Sequence, residues 1–190
     1  KMKTVYIIHG WDGSPNEPMY RWLRRELTSR GFKVVIPEMP NPEKPDIESW
    51  VKKINETVEC PDKNTILVGH SIGCQAILRY LEKLDSSVFV GDLILNAPWF
   101  TLQNLESEEE HTVVKPWIET KINFFSVTRH VSKITAIFSD SDPFVPLENV
   151  ELFKKNLETE NIIEHNKGHF IEEDGVTELP SALEAILKIK

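Results

Sequence analysis

The chain has 190 residues, of which 40% are hydrophobic and 27% are charged, and its formal net charge is −8 at pH 7. This length predicts a single domain, residues 1–190, with a substantial core, and the composition excludes collagen-like, disordered and mucin-like chains. An acidic surface lacks the basic footprint that nucleic acid or an anionic membrane requires, so we expect neither as a partner.

The cysteines and the apolar runs bear on the cellular compartment. Cys60 and Cys74 can form at most one bridge and lie in no metal-binding pattern, which favours a reducing compartment. The first apolar run is shorter than a signal peptide requires, and no run approaches the ~18 residues that span a bilayer. We therefore expect a cytoplasmic protein.

Short apolar runs rich in β-branched residues alternate with amphipathic segments, a pattern typical of a parallel sheet covered by helices. The predicted strands are 4–8, 33–36, 65–68, 92–95, 134–138 and 161–164. The predicted helices are 19–30, 46–58, 71–84, 147–157 and 176–189. Right-handed crossovers between such strands give a doubly wound α/β fold.

Residues 97–131 show no clear periodicity. We expect the acidic run 106–110 within them to be a solvated loop. The segment is too short for a second domain, and two interpretations stay open: a small lid, or a wall beside a pocket.

The strongest motif is the pentapeptide GHSIG at 69–73, which has the form G-x-S-x-G and joins a predicted strand to a predicted helix. This is the context of a nucleophile elbow, in which a strained turn exposes the serine hydroxyl and the glycines prevent collisions. The start of the following helix directs free N–H groups toward the reacting oxygen. We therefore predict Ser71 as a nucleophile rather than a simple helix cap.

A serine hydroxyl is a weak nucleophile and needs a base that is oriented by an acid. His169 follows the last predicted strand, at the carboxyl edge of the sheet, where ligands bind in such folds. His165 is its nearest competitor, and we expect His70 to point away from the serine. We expect His9 to brace the first loop and His130 to lie at the surface.

The acid is expected at the end of the strand at 134–138, where Asp140 and Asp142 both follow. We predict Asp142, because the following proline imposes an extended and rigid backbone. The order Ser71, Asp142, His169 is the chain order expected with a G-x-S-x-G elbow.

An acyl-transfer site also needs N–H donors for the developing oxyanion. We predict the backbone N–H groups of Trp11, in the first loop, and Ile72, which follows the nucleophile. The aromatic residues Trp99, Phe100 and Phe144 lie near strand ends and are candidates for an apolar substrate pocket, or else for plain core positions.

Together these motifs resemble the α/β-hydrolase superfamily and, within it, the small lidless serine hydrolases related to retinoblastoma-binding protein nine, especially their bacterial branch. The stretches that carry the resemblance are 9–11, 39–42, 69–73, 142–146, 168–170 and 173–175. The resemblance implies a three-layer α/β/α sandwich with a six-stranded parallel sheet in the order 2-1-3-4-5-6 and no large cap. It also implies catalytic roles for Ser71, Asp142 and His169 and no cofactor or metal. The first loop lacks the HGGG run of many esterases, which leaves the oxyanion donor open.

We therefore predict a serine hydrolase, most similar to carboxylesterases, that cleaves a small acyl substrate through an acyl-enzyme. The absence of a cap argues against large lipid substrates. Two alternatives stay open: a protein that binds a protein partner through the same fold, and an acyl transferase or perhydrolase that uses the same three residues.

Overall fold

One parallel sheet, with helices on both faces, forms the body of the molecule. The computed structural model describes residues 1–189. The strands are β1 (Thr4–Ile8), β2 (Lys33–Val35), β3 (Thr65–His70), β4 (Leu93–Asn96), β5 (Ile134–Ser139) and β6 (Glu160–Glu164). The helices are α1 (Pro18–Thr28), α2 (Ile47–Thr57), α3 (Ile72–Leu81), α4 (Glu108–Glu119), α5 (Phe124–Thr128), α6 (Glu148–Leu157) and α7 (Pro180–Leu187), with a short 3-10 helix at Glu172–Asp174.

The order of strands across the sheet is β2-β1-β3-β4-β5-β6, and every neighbouring pair is parallel. This confirms the predicted α/β architecture and the strand order that the resemblance implies. Parallel strands place their carboxyl ends at one edge of the sheet, so the loops after β1, β3, β5 and β6 meet there.

Burial on both faces explains why the central strands have continuous apolar sequences. Every residue of β3, β4 and β5 is buried. Leu67 packs into a core with helices α2, α3 and α6, whereas its neighbours Ile66 and Val68 point to the opposite face and pack against α1 and α7. This alternation follows from the twofold period of a strand, and it produces two apolar cores separated by the sheet.

The segment 97–131 is more regular than its sequence predicts, because it holds helices α4 and α5. The prediction that residues 106–110 form a solvated loop is wrong. Ser107 accepts a hydrogen bond from the backbone N–H of Glu110, whose side chain accepts one from the backbone N–H of Ser107. This capping box, together with carboxylates at the positive end of the helix dipole, makes the acidic run the first turn of α4.

Two further features correct or extend the sequence analysis. The prediction that His130 lies at the surface is wrong, since the residue is buried and its Nδ1 lies 2.7 Å from the carbonyl oxygen of Val88. Cys60 is exposed and Cys74 is buried, and the two are not bonded. Within residues 1–189, every helix is too short or too polar to cross a membrane.

Candidate active site

Ser71 occupies a strained turn between β3 and α3. Its φ is 53° and its ψ is −120°, a conformation that a residue with a side chain seldom adopts. The flanking glycines permit the turn: a Cβ on Gly73 would lie 2.4 Å from the carbonyl oxygen of Ile8, and one on Gly69 would lie 2.9 Å from the backbone nitrogen of Cys74. The sharp turn brings the serine close to the end of β1.

Three side chains from three loops meet at this turn. Nε2 of His169 lies 2.9 Å from Oγ of Ser71, and Nδ1 of the same ring lies 2.8 Å from Oδ2 of Asp142. The side chain of Asp142 is 1% exposed and that of His169 is 13% exposed, so this hydrogen-bonded pair is largely shielded from water. The arrangement can carry a proton from the hydroxyl to the imidazole while the carboxylate holds the ring.

The backbone after β5 fixes the carboxylate of Asp142. Its Oδ1 accepts hydrogen bonds from the N–H groups of Phe144, at 2.9 Å, and Val145, at 3.1 Å. Oδ2 is therefore the oxygen that faces the imidazole, and the buried carboxylate has partners on both sides.

The competing residues Asp140 and His165 form a separate pair. Oδ2 of Asp140 contacts Nδ1 of His165, and the imidazole side chain is 80% exposed. The hydrogen bond from His165 and another from the backbone N–H of Asn166 lower the pKa of Asp140. The structure thus brings Asp142, and not Asp140, to the imidazole beside Ser71.

His70 holds the loop that carries His169. Its buried ring has Nε2 2.8 Å from the carbonyl oxygen of His169, so Nε2 is protonated and donates. Burial, reinforced by the nearby His169, lowers the pKa of His70 to about 3, which keeps the ring neutral. No local sequence pattern indicates this contact, because it joins residues that are 99 positions apart in the chain.

The first loop is fixed by His9, as the sequence predicts. Nε2 of His9 accepts the backbone N–H of Met39 at 3.1 Å, so the ring proton is on Nδ1, which donates to the carbonyl oxygen of Gly10 at 2.8 Å. Trp11 and Ile72 line the same cavity as Ser71, and within residues 1–189 no protein group accepts a hydrogen bond from their backbone N–H groups. Both are free to meet a developing oxyanion.

A cavity of about 560 Å³ opens over Ser71. Trp11, Trp99 and Phe144 line it, together with residues from the first turn of α4, so the segment 97–131 forms a wall of the cavity. Phe100 is not among the lining residues: its ring stacks on Phe153 at 4.0 Å between ring centres. It is partly buried and packs against the core, which fits the other interpretation that the sequence left open for this residue.

Six acidic residues line the cavity, namely Asp12, Glu17, Glu43, Glu109, Glu110 and Glu173. The one lysine among the lining residues, Lys44, is paired with Glu109 at 2.9 Å. Burial, and next to it the charge of Glu43, raises the pKa of Asp12. Burial also raises the pKa of Glu17, and the nearby Glu173 adds to that effect. The cavity is therefore at a negative potential.

Trp99 makes a contact that the sequence does not predict. Its indole Nε1–H donates to Oγ of Ser71 at 3.2 Å, whereas the sequence indicates only an apolar surface from this side chain. Trp99 is buried, and its carbonyl oxygen accepts a hydrogen bond from the side-chain amide of Gln75 at 2.8 Å.

Comparison with known proteins places this chain in a family. The sequence model of the serine hydrolase family matches residues 5–188. The chain belongs to this family. The membership confirms the resemblance found in the sequence and establishes the protein as a hydrolase of the α/β-hydrolase type.

Two relatives align over most of this hydrolase. YdeN of Bacillus subtilis is 31% identical over 179 residues, which cover 94% of this chain and 91% of YdeN. The serine hydrolase RBBP9 of Rattus norvegicus is 27% identical over 164 residues, covering 85% of this chain and 78% of RBBP9.

Solved structures share the fold. The crystal structure of YdeN superposes with a TM-score of 0.89 at 28% identity, covering 98% of this hydrolase and 97% of YdeN. Est1E from Butyrivibrio proteoclasticus superposes with a TM-score of 0.73 at 18% identity, covering 99% of this chain and 88% of Est1E. At that identity the second similarity concerns the fold alone.

Proposed function

We propose that this hydrolase cleaves small carboxylic esters or related acyl compounds through a covalent acyl-serine at Ser71. One observation carries the proposal: Oγ of Ser71 lies 2.9 Å from Nε2 of His169, whose Nδ1 lies 2.8 Å from the buried carboxylate of Asp142. Both distances are within the range that proton transfer requires. A serine that merely caps a helix would need neither the imidazole nor the carboxylate.

The first half of the reaction forms the acyl-enzyme. Oγ of Ser71 attacks the substrate carbonyl carbon while His169 Nε2 accepts the hydroxyl proton, and Asp142 stabilises the resulting imidazolium. The carbonyl oxygen becomes an oxyanion that the N–H groups of Trp11 and Ile72 are free to bind. When the tetrahedral intermediate collapses, the bond to the leaving group breaks and the imidazolium donates its proton to that group.

The second half releases the acid. His169 removes a proton from a water molecule, whose oxygen attacks the acyl carbon, and the same N–H groups stabilise the second oxyanion. The bond from carbon to Oγ of Ser71 then breaks, and Oγ takes the proton back from the imidazolium. The enzyme returns to its initial state with no cofactor in the cycle.

The size and charge of the cavity suit a small substrate that carries no negative charge. A volume of about 560 Å³ suits a small molecule, and the aromatic side chains of Trp11, Trp99 and Phe144 offer apolar surface to an acyl group. The surrounding carboxylates would repel an anionic ester.

Labelling with a fluorophosphonate probe tests the proposal. We expect one covalent adduct, located at Ser71 by peptide mass spectrometry and absent from Ser71→Ala. Ser86→Ala, which changes an exposed serine remote from the cavity, is the matched control and should label like the unchanged protein. A screen of short p-nitrophenyl esters, thioesters and amides then identifies the preferred acyl bond. A folded protein that neither labels nor hydrolyses any of these would refute the proposal.

A further inference from the structure

The backbone before Trp99 is held in a strained conformation. Ala97, directly after β4, has a φ of 49°, which a non-glycine residue adopts only at a cost. Ala97 is also buried, and its N–H donates to the carbonyl oxygen of Ile137 at 2.8 Å. The strained turn directs the chain from β4 back over the elbow, so the indole of Trp99 reaches Ser71.

A second contact holds the backbone of Trp99 in place. The amide of Gln75, on α3, donates to the carbonyl oxygen of Trp99 at 2.8 Å. Gln75 is itself buried on the helix that begins after Ser71. The nucleophile and the backbone of Trp99 are thus held by the same helix, and the buried indole lies with Nε1 3.2 Å from Oγ of Ser71.

We propose that Trp99 is a further catalytic residue, whose indole N–H acts directly on the nucleophilic oxygen of Ser71. This inference rests on the proposed function and goes beyond it, since the reaction cycle above assigns no donor to that oxygen. The indole donor has two effects, one on the resting hydroxyl and one on the charge that Oγ carries during the reaction.

In the resting enzyme the indole orients the hydroxyl proton. A serine hydroxyl has one proton and two acceptor lone pairs. Trp99 donates to one lone pair, so the proton of Ser71 is directed to Nε2 of His169, which accepts it. One lone pair remains for attack on the substrate carbon. The hydroxyl is therefore already placed for proton transfer before the substrate binds.

During the reaction the indole stabilises charge on Oγ. Negative charge develops on this oxygen when its proton leaves in the first half and when the bond from carbon to Oγ breaks in the second. The oxygen of the acyl-serine ester is a weaker acceptor than either the hydroxyl or the departing alkoxide. Losing the indole donor should therefore slow deacylation more than acylation, because its hydrogen bond strengthens most in that step.

The expected kinetic result is specific. A hydrogen bond to a charged oxygen corresponds to a change of about 10- to 100-fold in rate. In Trp99→Phe we expect kcat to fall by that factor with a smaller fall in kcat/KM, and acyl-enzyme to accumulate as a burst of p-nitrophenol. Because phenylalanine is smaller than tryptophan, a second variant replaces Trp99 by β-(3-benzothienyl)alanine, which keeps the ring shape and removes only the N–H donor.

Trp117→Phe is the matched control. Trp117 is a buried tryptophan whose Nε1–H donates to the carbonyl oxygen of Pro45, away from Ser71, so its loss should affect stability without changing the ratio of acylation to deacylation. An equal kcat in the benzothienyl variant and the unchanged enzyme would overturn the inference, as would equal falls in kcat and kcat/KM.

A spectroscopic measurement tests the contact without any activity. The indole N–H resonance of Trp99 should move upfield in Ser71→Ala, because its acceptor is removed, while the other four tryptophan resonances stay in place. An unmoved resonance would refute the contact. Labelling of Ser71 by the fluorophosphonate distinguishes the two ideas: a labelled serine with unchanged Trp99 variants refutes this inference alone, whereas an unlabelled serine refutes the proposed function.

Discussion

In Asp142→Asn, the local hydrogen bonds determine which atom of the new side chain faces His169. Two backbone N–H groups, from Phe144 and Val145, donate to Oδ1. The amide oxygen of the new side chain must stay at that position, because an amide NH₂ group cannot accept hydrogen bonds. The NH₂ group then faces Nδ1 of His169, which lies 2.8 Å from Oδ2 in the unchanged protein. To avoid two opposed donors, the imidazole must move its proton from Nδ1 to Nε2.

This tautomer cannot accept the proton of Ser71. We therefore expect kcat/KM to fall by roughly 10³- to 10⁴-fold in Asp142→Asn, or about 4 to 5.5 kcal/mol in the barrier. Folding should be little affected, since the backbone donors keep their acceptor. Hydrolysis of a p-nitrophenyl ester measures the rate, and urea unfolding of the same samples measures the stability.

Asp140→Asn is the control, because Asp140 has the same loop, the same residue type and an imidazole partner that is exposed. It should keep activity within about threefold of the unchanged enzyme, since its partner does not reach Ser71. The reasoning would be refuted if Asp140→Asn were inactive and Asp142→Asn active, or if both variants kept full activity.

The elbow, a buried imidazole and the charged cavity each lead to a further prediction. Gly73→Ala would place a Cβ 2.4 Å from the carbonyl oxygen of Ile8, so we expect a loss of about 1–3 kcal/mol in unfolding free energy and slower labelling of the nucleophile. Gly31→Ala is the control: its φ of 86° also costs stability, but a Cβ there has nothing within 4 Å, so Ser71 should label normally. Burial lowers the pKa of His70 to about 3, against ~6.5 in the unfolded chain, so the contribution of this residue to the unfolding free energy should be largest above pH ~6.5 and decrease as the pH drops toward 3. The decrease should be smaller in His70→Gln. Equal urea midpoints for the unchanged protein at pH 7 and pH 4 would contradict this prediction. A p-nitrophenyl ester with an anionic acyl group should have a kcat/KM roughly tenfold below that of its neutral isostere, because acidic residues line the cavity. Added salt, or the substitution Glu17→Gln, should reduce this difference in kcat/KM. A higher kcat/KM for the anionic ester would exclude the proposed effect of the lining carboxylates.

Local sequence patterns are sufficient to predict most of the fold. Continuous apolar runs predict the buried strands because both faces of a parallel sheet are covered, although β3 continues through His70 rather than ending at residue 68. The last helix begins only at Pro180 and not at residue 176, because residues 176–179 are not helical and the proline occupies the first turn. The serine, the carboxylate and the imidazole each follow a strand, so topology alone predicts that they meet.

The contacts that the sequence does not predict depend on tertiary structure. The first turn of α4 is hard to predict because a run of glutamates is typical of a solvated loop, although Ser107 and Glu110 have the spacing of a capping box. The indole of Trp99 meets the nucleophile just after a turn in which Ala97 adopts a positive φ, and no feature of the sequence marks an alanine for that conformation. His130 is buried, and its ring contacts the carbonyl oxygen of a residue that is 42 positions away in the chain.

The two Asp–His pairs allow a comparison of the same chemical groups in exposed and buried surroundings. Asp140 with His165 and Asp142 with His169 are drawn from the same two loops, yet the side chains of the second pair are 1% and 13% exposed and those of the first 36% and 80%. The two pairs therefore share their chemistry and differ in burial, and the buried pair also has the hydroxyl of Ser71 within hydrogen-bond distance of its imidazole.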